Sequence, residues 1–262
     1  MNFMYRAKPS DGVAWVTGAS SGIGRAVAVE LARRGWRVAL SARRVAELET
    51  LAAEIAAMGG SASVHAGDVT DRAAMASLAA GIEAERGPIA LALLNAGGNF
   101  PSPRGELVGE NFRRTVALNA DGVLNCLEPL LPLMSARRAG QVAVMASVAA
   151  YGGLPTAASY CMAKAGVVAM CEALKFDLDR VGVTMQVICP GYVRTPLTDS
   201  QRQPKPFMIE ADDAARRICD GLARGGFEIA FPRPMVWIVK TLQALPYPIF
   251  FRLMARGSRR YA

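Results

Sequence analysis

From residue 13 onward, short apolar runs alternate with Ala-rich stretches of helical length, and this alternation constrains the fold more than any other feature. Residues 13–17, 37–42, 63–66, 89–94, 141–146, 183–189 and 227–231 read as about seven strands, with helical stretches at 23–34, 45–58, 72–85 and 159–181. Strands that alternate with helices over short links imply parallel pairing through right-handed crossovers. The strand segments are continuous apolar runs rather than polar–apolar alternations, as expected where helices cover both faces of a sheet. The expected fold is therefore an α/β, doubly wound parallel sheet flanked by helices.

A chain of 262 residues is long enough for one large domain with a substantial core, here spanning 1–232. Residues 233–262 form a tail packed on or extending that domain. With 52% hydrophobic and 20% charged residues, disorder and low-complexity fibres are excluded. No secretory signal and no membrane span is read, so a cytoplasmic protein is expected. Five scattered cysteines without a C-x-x-C pair, and the single histidine His65, argue against a disulfide framework and against a metal site. Buried reduced thiols are expected instead. Six of the eight net positive charges belong to residues 233–262, which contain no acid. The body is nearly neutral, and nucleic-acid binding does not follow from the overall basicity.

Between the first strand and the first helix stands Thr17-Gly18-Ala19-Ser20-Ser21-Gly22-Ile23-Gly24. Glycines here permit a tight turn and let a pyrophosphate approach the backbone at the positive end of a helix. At the end of the second strand a carboxylate would accept hydrogen bonds from an adenosine ribose and repel a 2′-phosphate. This chain instead reads Ala42-Arg43-Arg44, with no acid before Glu47. Arginine offers a planar fork of donors to a phosphate, so NADP(H) is expected over NAD(H). The bland alternative is two solvated arginines at a helix start.

Tyr160 and Lys164 are four residues apart, which on a helix puts them on one face. An ammonium beside a phenol, with an oxidised nicotinamide near, lowers the phenol pKa from its usual value near 10. The tyrosine could then exchange a proton with a substrate oxygen near neutral pH. Ser147, at the end of the preceding strand, could hold that oxygen.

The motif Thr17–Gly24, Asp68-Val69, Asn95-Ala96-Gly97, Asn119, Ser147, Tyr160 with Lys164, and Pro190-Gly191 with Thr195 follow one another in this order. In this combination the chain resembles the short-chain dehydrogenase/reductase family, in its single-domain Rossmann branch, over roughly residues 10–232. The resemblance implies that Tyr160 is the acid/base, that Lys164 binds the nicotinamide ribose and lowers the tyrosine pKa, and that Ser147 orients the substrate carbonyl. It implies that Asn119 supports a water in a proton relay from Lys164. It places Gly18, Ser20, Ser21, Gly22, Ile23, Gly24, Arg43, Arg44, Asp68, Val69, Asn95, Ala96, Gly97, Pro190, Gly191, Val193 and Thr195 at the cofactor, together with Tyr160 and Lys164. A homodimer or homotetramer is implied as well.

Three departures stand out. Leu94 occupies a position that is frequently Asn, and Ala163 one that is frequently Ser. The C-terminus continues past the last strand into 235–254, rich in aromatic and aliphatic residues, split by Pro246 and Pro248 into two helical pieces and followed by arginines. Such a tail suits a cap over an apolar pocket, a dimer contact, plain packing or peripheral membrane contact, and the residues leave these open. The segment 190–206, with four prolines, reads as one long irregular lid. The expected function is NADPH-dependent interconversion of a ketone or aldehyde and an alcohol on a hydrophobic substrate. The alternatives are a 3-oxoacyl-thioester reductase and a non-catalytic NADP(H)-sensing protein.

Overall fold

The computed structural model describes residues 5–199 and 204–258. Seven strands, β1 (Val13–Thr17), β2 (Arg37–Ala42), β3 (Ser61–Ala66), β4 (Ile89–Leu94), β5 (Gly140–Met145), β6 (Val183–Pro190) and β7 (Glu228–Phe231), form one sheet in the order β3-β2-β1-β4-β5-β6-β7. Every pairing is parallel. Strand order reverses between β1 and β4, and the crevice beyond the carboxyl ends of those two strands is where such sheets bind ligands.

The long helices are α1 (Gly22–Arg33), α2 (Val45–Ala57), α3 (Arg72–Arg86), α4 (Gly109–Val116), α5 (Gly122–Ala136) and α6 (Ala158–Leu178). A single turn, α7 (Pro196–Asp199), and α8 (Ala211–Arg224) follow. Successive residues of β1 point to opposite faces of the sheet, so Val16 enters an apolar layer with Val27, Leu40, Leu48 and Ile218, while Trp15 enters another with Met75, Ile82, Leu130 and Met185. All five cysteines are buried, with Cys219 in the first layer and Cys126, Cys171 and Cys189 in the second.

Two segments depart from the sequence reading. No element was read between residues 94 and 141, yet α4, a π-helical turn (Ala117–Asp121) and α5 fill it. Pro129 and Pro132 lie inside α5 and hide it, because proline there removes hydrogen bonds of the helix. Its face of Val123, Cys126, Leu127, Leu130 and Met134 is buried and holds the helix despite them. The 190–206 segment is less irregular than expected. Val193 pairs with Ile209, α7 follows, and the Thr198 hydroxyl donates to Val193 O at 2.6 Å while accepting the Thr195 N–H at 3.0 Å. Part of the expected lid, residues 200–203, lies outside the described residues.

The tail forms α9 (Arg233–Gln243) and α10 (Tyr247–Ser258). Met235, Val236 and Val239 pack against the second apolar layer, while Trp237 on the outer side of α9 is 72% exposed. On α10, Tyr247 is 75% and Phe251 61% exposed, and their rings stack at 5.7 Å. No helix among the described residues is long and apolar enough to cross a membrane.

Candidate active site

The site starts at the end of β1. The buried Thr17 hydroxyl accepts the backbone N–H groups of Asn95 (3.0 Å) and Ala96 (3.1 Å), tying the carboxyl ends of β1 and β4 together. In return, Asn95 Nδ2 donates to Thr17 O at 3.0 Å and Gly18 O at 3.3 Å. Gly18 sits at φ +67°, where an L side chain is strained, and a Cβ there would lie 2.8 Å from Ala96 Cα. The turn delivers the chain to α1, whose first turn has no side-chain cap, leaving backbone N–H groups for an anion.

A cleft of about 460 Å³ opens along the carboxyl edge of the sheet. Of the residues expected at the cofactor, Gly18, Ser20, Ser21, Gly22 and Ile23 line it along the turn, and Arg43, Arg44, Asp68 and Val69 line one end. Asn95, Ala96 and Gly97 line it after β4, and Pro190, Gly191, Val193 and Thr195 line it at and after the end of β6. Gly24 does not line the cleft. A Cβ on it would meet Asn95 Nδ2 and Gly18 O, so this glycine lets α1 approach the sheet rather than a ligand. Sequence reasoning passed over Leu118, Met145, Leu197 and Thr198, which also line the cleft. Leu118 sits beside Asn119 in the unread π turn, and π turns recur at functional sites.

At the polar end, Arg44 donates to the Ser20 hydroxyl at 2.9 Å and lies 3.3 Å from Glu47. Arg43 is largely exposed and 3.6 Å from Asp68. Burial alone would raise the Asp68 carboxyl, but two hydrogen bonds from Thr70 and the Arg43 charge hold it below the usual range. An uncapped helix N-terminus, a serine hydroxyl and two guanidinium groups on one wall form a donor set that fits the phosphates of a dinucleotide.

At the other end the cleft is lined by Ser147, Tyr160, Lys164 and Asn119. Ser147 Oγ accepts the Ala149 N–H at 3.1 Å and caps the 3-10 turn Val148–Tyr151. Lys164 is buried and donates from Nζ to Met145 O at 2.7 Å. Fully buried Asn119 donates to Gly98 O and Thr115 O, each at 2.7 Å, and accepts the Gly98 N–H at 3.3 Å. Its amide thus braces the π turn against the loop after β4. The direction differs from the lowered phenol expected from the sequence. Burial pushes Tyr160 up to about 12, against the opposing pull of a hydrogen bond with Ser147. Burial also pushes Lys164 down to about 8, and its Nζ lies 5.8 Å from the Tyr160 ring centroid. Desolvation is the largest cause of both shifts.

The model of the short chain dehydrogenase family matches residues 12–206, and with them the turn, both arginines and all four polar groups just described. The chain belongs to this family. It is therefore an oxidoreductase acting on alcohol and carbonyl groups, in a family that uses nicotinamide cofactors. It is 35% identical to an uncharacterized oxidoreductase of Myxococcus xanthus over 244 residues, which cover 93% of this chain and 96% of that one. A putative ketoacyl reductase of Streptomyces coelicolor is 34% identical over 73% of this chain and 74% of its own. Some relatives are much longer, and the chain spans only 31% of the probable oxidoreductase EphD of Mycobacterium tuberculosis. Among solved structures, an actinorhodin polyketide ketoreductase with NADPH superposes with a TM-score of 0.77 at 28% identity, covering 86% of this chain and 96% of that one.

Proposed function

We propose that the protein is an NADPH-dependent carbonyl reductase that acts reversibly on a hydrophobic ketone or aldehyde. The observation that carries this reading is the convergence of Ser147, Tyr160 and Lys164 at one end of a cleft whose other end presents Arg43 and Arg44. A bound nicotinamide would supply the two-electron transfer. The remaining chemistry belongs to this chain. Ser147 orients the substrate oxygen by hydrogen bond, and Tyr160, protonated when its pKa is high, donates the proton that the reduced oxygen requires. Lys164 would hold the ribose side of the cofactor, while Asn119 keeps the loop after β4 in place. Ala42 leaves no carboxylate to repel a 2′-phosphate beside Arg43.

The apolar character of the substrate is supported by Leu118, Val193 and Leu197, which line the cleft. The ketoacyl reductase among the relatives favours a second reading, reduction of a 3-oxoacyl thioester. The deciding measurement is cofactor oxidation across ketones of increasing chain length, with matched oxoacyl thioesters beside them. We expect kcat/KM to rise with apolar length and thioesters to be poor. Preference for thioesters would establish the second reading, and no turnover with any carbonyl would sink both.

The exposed face of α9 and α10 we assign to an anionic lipid surface rather than to a second copy. Residues 233–262 hold six cations and no acid, a charge balance that suits an anionic surface. The subunits of a homodimer or homotetramer would then meet through other faces, with the protein cytoplasmic and only peripherally attached.

A further inference from the structure

Behind Ser147, away from the cleft, runs a chain of polar contacts that the reading above does not use. Just before Ser147, the Ala146 backbone N–H donates to Ile188 O on β6 at 2.8 Å. The turn that Ser147 caps ends at Tyr151, a buried residue whose hydroxyl donates to Glu228 Oε1 at 2.6 Å. Glu228 opens β7, and its second oxygen accepts Lys240 Nζ from α9 at 2.6 Å. Lys240 Nζ lies 4.7 Å from the Tyr151 ring centroid. Both ends of the Ser147 turn are therefore held by polar contacts, and the outermost link belongs to the tail.

Packing alone does not require this arrangement. A phenylalanine would fill the place of the Tyr151 ring without bringing a hydroxyl that needs a partner. What the hydroxyl adds is direction. A phenol–carboxylate hydrogen bond is short and charge-assisted, and here it fixes the last residue of a four-residue turn whose cap is Ser147. A serine hydroxyl that must meet a substrate oxygen at hydrogen-bond distance is sensitive to small displacements of its backbone. Glu228 would be free to swing toward solvent were Lys240 not holding its other oxygen, because its side chain is one-third exposed.

We propose that Tyr151, anchored by Glu228 and Lys240, is a positioning residue for Ser147, so that the tail helix α9 sets the alignment of the active-site hydroxyl. This rests on the assignment of Ser147 to the substrate oxygen. The test compares Ser147→Ala, Tyr151→Phe and the double variant in the full-length protein, with Lys240→Met as a milder break at the exposed end. Steady-state reduction, KM for NADPH and melting temperature are measured for each. Tyr151→Phe should lower kcat roughly tenfold, with NADPH KM and Tm near the parent values. Lys240→Met should change kcat in the same direction by less. In the Ser147→Ala background, Tyr151→Phe should cost nothing further, since the hydroxyl it positions is gone. The proposal is overturned if Tyr151→Phe turns over within about twofold of the parent, if the two losses multiply in the double variant, or if the loss follows a fall in Tm or in NADPH affinity. Full turnover by Ser147→Ala would instead overturn the role of Ser147, and the positioning argument with it.

Discussion

Lys164 Nζ is anchored on Met145 O at 2.7 Å, on the strand that leads to Ser147, and not on the phenol of Tyr160. Its ammonium is buried against that backbone oxygen, and burial pushes it from 10.5 down to about 8. A group depressed on folding contributes stability above its unfolded value and loses it as pH falls through its folded value. Lys164→Met removes the buried charge at similar volume. In the cofactor-free protein, its Tm advantage over the parent should be largest at pH 7 and shrink between about 8 and 10.5. An advantage independent of pH would show that the charge of Lys164 is not what burial opposes. Thermal melts at both ends of that range decide it.

Tyr160 moves the other way, and the sign for catalysis follows. Raised to about 12, the phenol is protonated throughout the neutral range, which is the form that carbonyl reduction needs. Alcohol oxidation needs the phenolate. Reduction should therefore be nearly flat in kcat/KM from pH 6 to 8, while oxidation climbs toward alkaline pH. Tyr160→Phe should lower both directions by about 10²-fold or more while NADPH still binds. A variant that keeps full turnover would remove the tyrosine from the mechanism.

Cofactor choice can be tested at Ala42, where β2 enters the cleft next to Arg43. Ala42→Asp places a carboxylate where a 2′-phosphate would sit and should invert the preference toward NADH. Replacing Arg43 and Arg44 by Ala together should raise KM for NADPH about 10- to 100-fold with little change for NADH, given the strength of hydrogen bonds between charged groups. Equal losses for both cofactors would show that the arginines serve the fold and not the phosphate.

The tail makes a separate demand. Co-sedimentation with vesicles containing anionic lipid should be clear at low salt, weak with zwitterionic vesicles, and lost in Trp237→Asp/Phe251→Asp. If that double variant instead halves the mass in solution, the face is an interface between two copies.

The sequence carried the sheet well because β1, β4, β5 and β6 are buried along their full length and read as largely apolar runs, with Thr17, Gln141, Thr184 and Gln186 as buried polar exceptions. It carried α5 badly, since two prolines break the period that would mark the helix. At the site, the glycine turn, the two arginines and the polar groups were legible through ordered motifs, but Leu118, Met145, Leu197 and Thr198 were not, and a motif does not say that Gly24 faces the sheet rather than the cleft. The balance between burial and charge at Tyr160 was not legible. It depends on where Lys164 Nζ points, and the i,i+4 spacing only brings the two side chains to one face. The Tyr151 chain joins residues up to 89 positions apart across three elements, and no local pattern announces such a link.

The burial of all five thiols has a further use. Burial pushes Cys126, Cys171 and Cys219 up to about 12, so a thiol reagent in neutral solution meets neither an accessible nor an ionised sulfur in the folded protein. Labelling then proceeds only when the surrounding layer opens. Because Cys219 lies on one side of the sheet and Cys126 and Cys171 on the other, the rates of modification clock the breathing of the two layers independently. The native chain thus carries its own stability reporters, readable by mass spectrometry without a single substitution.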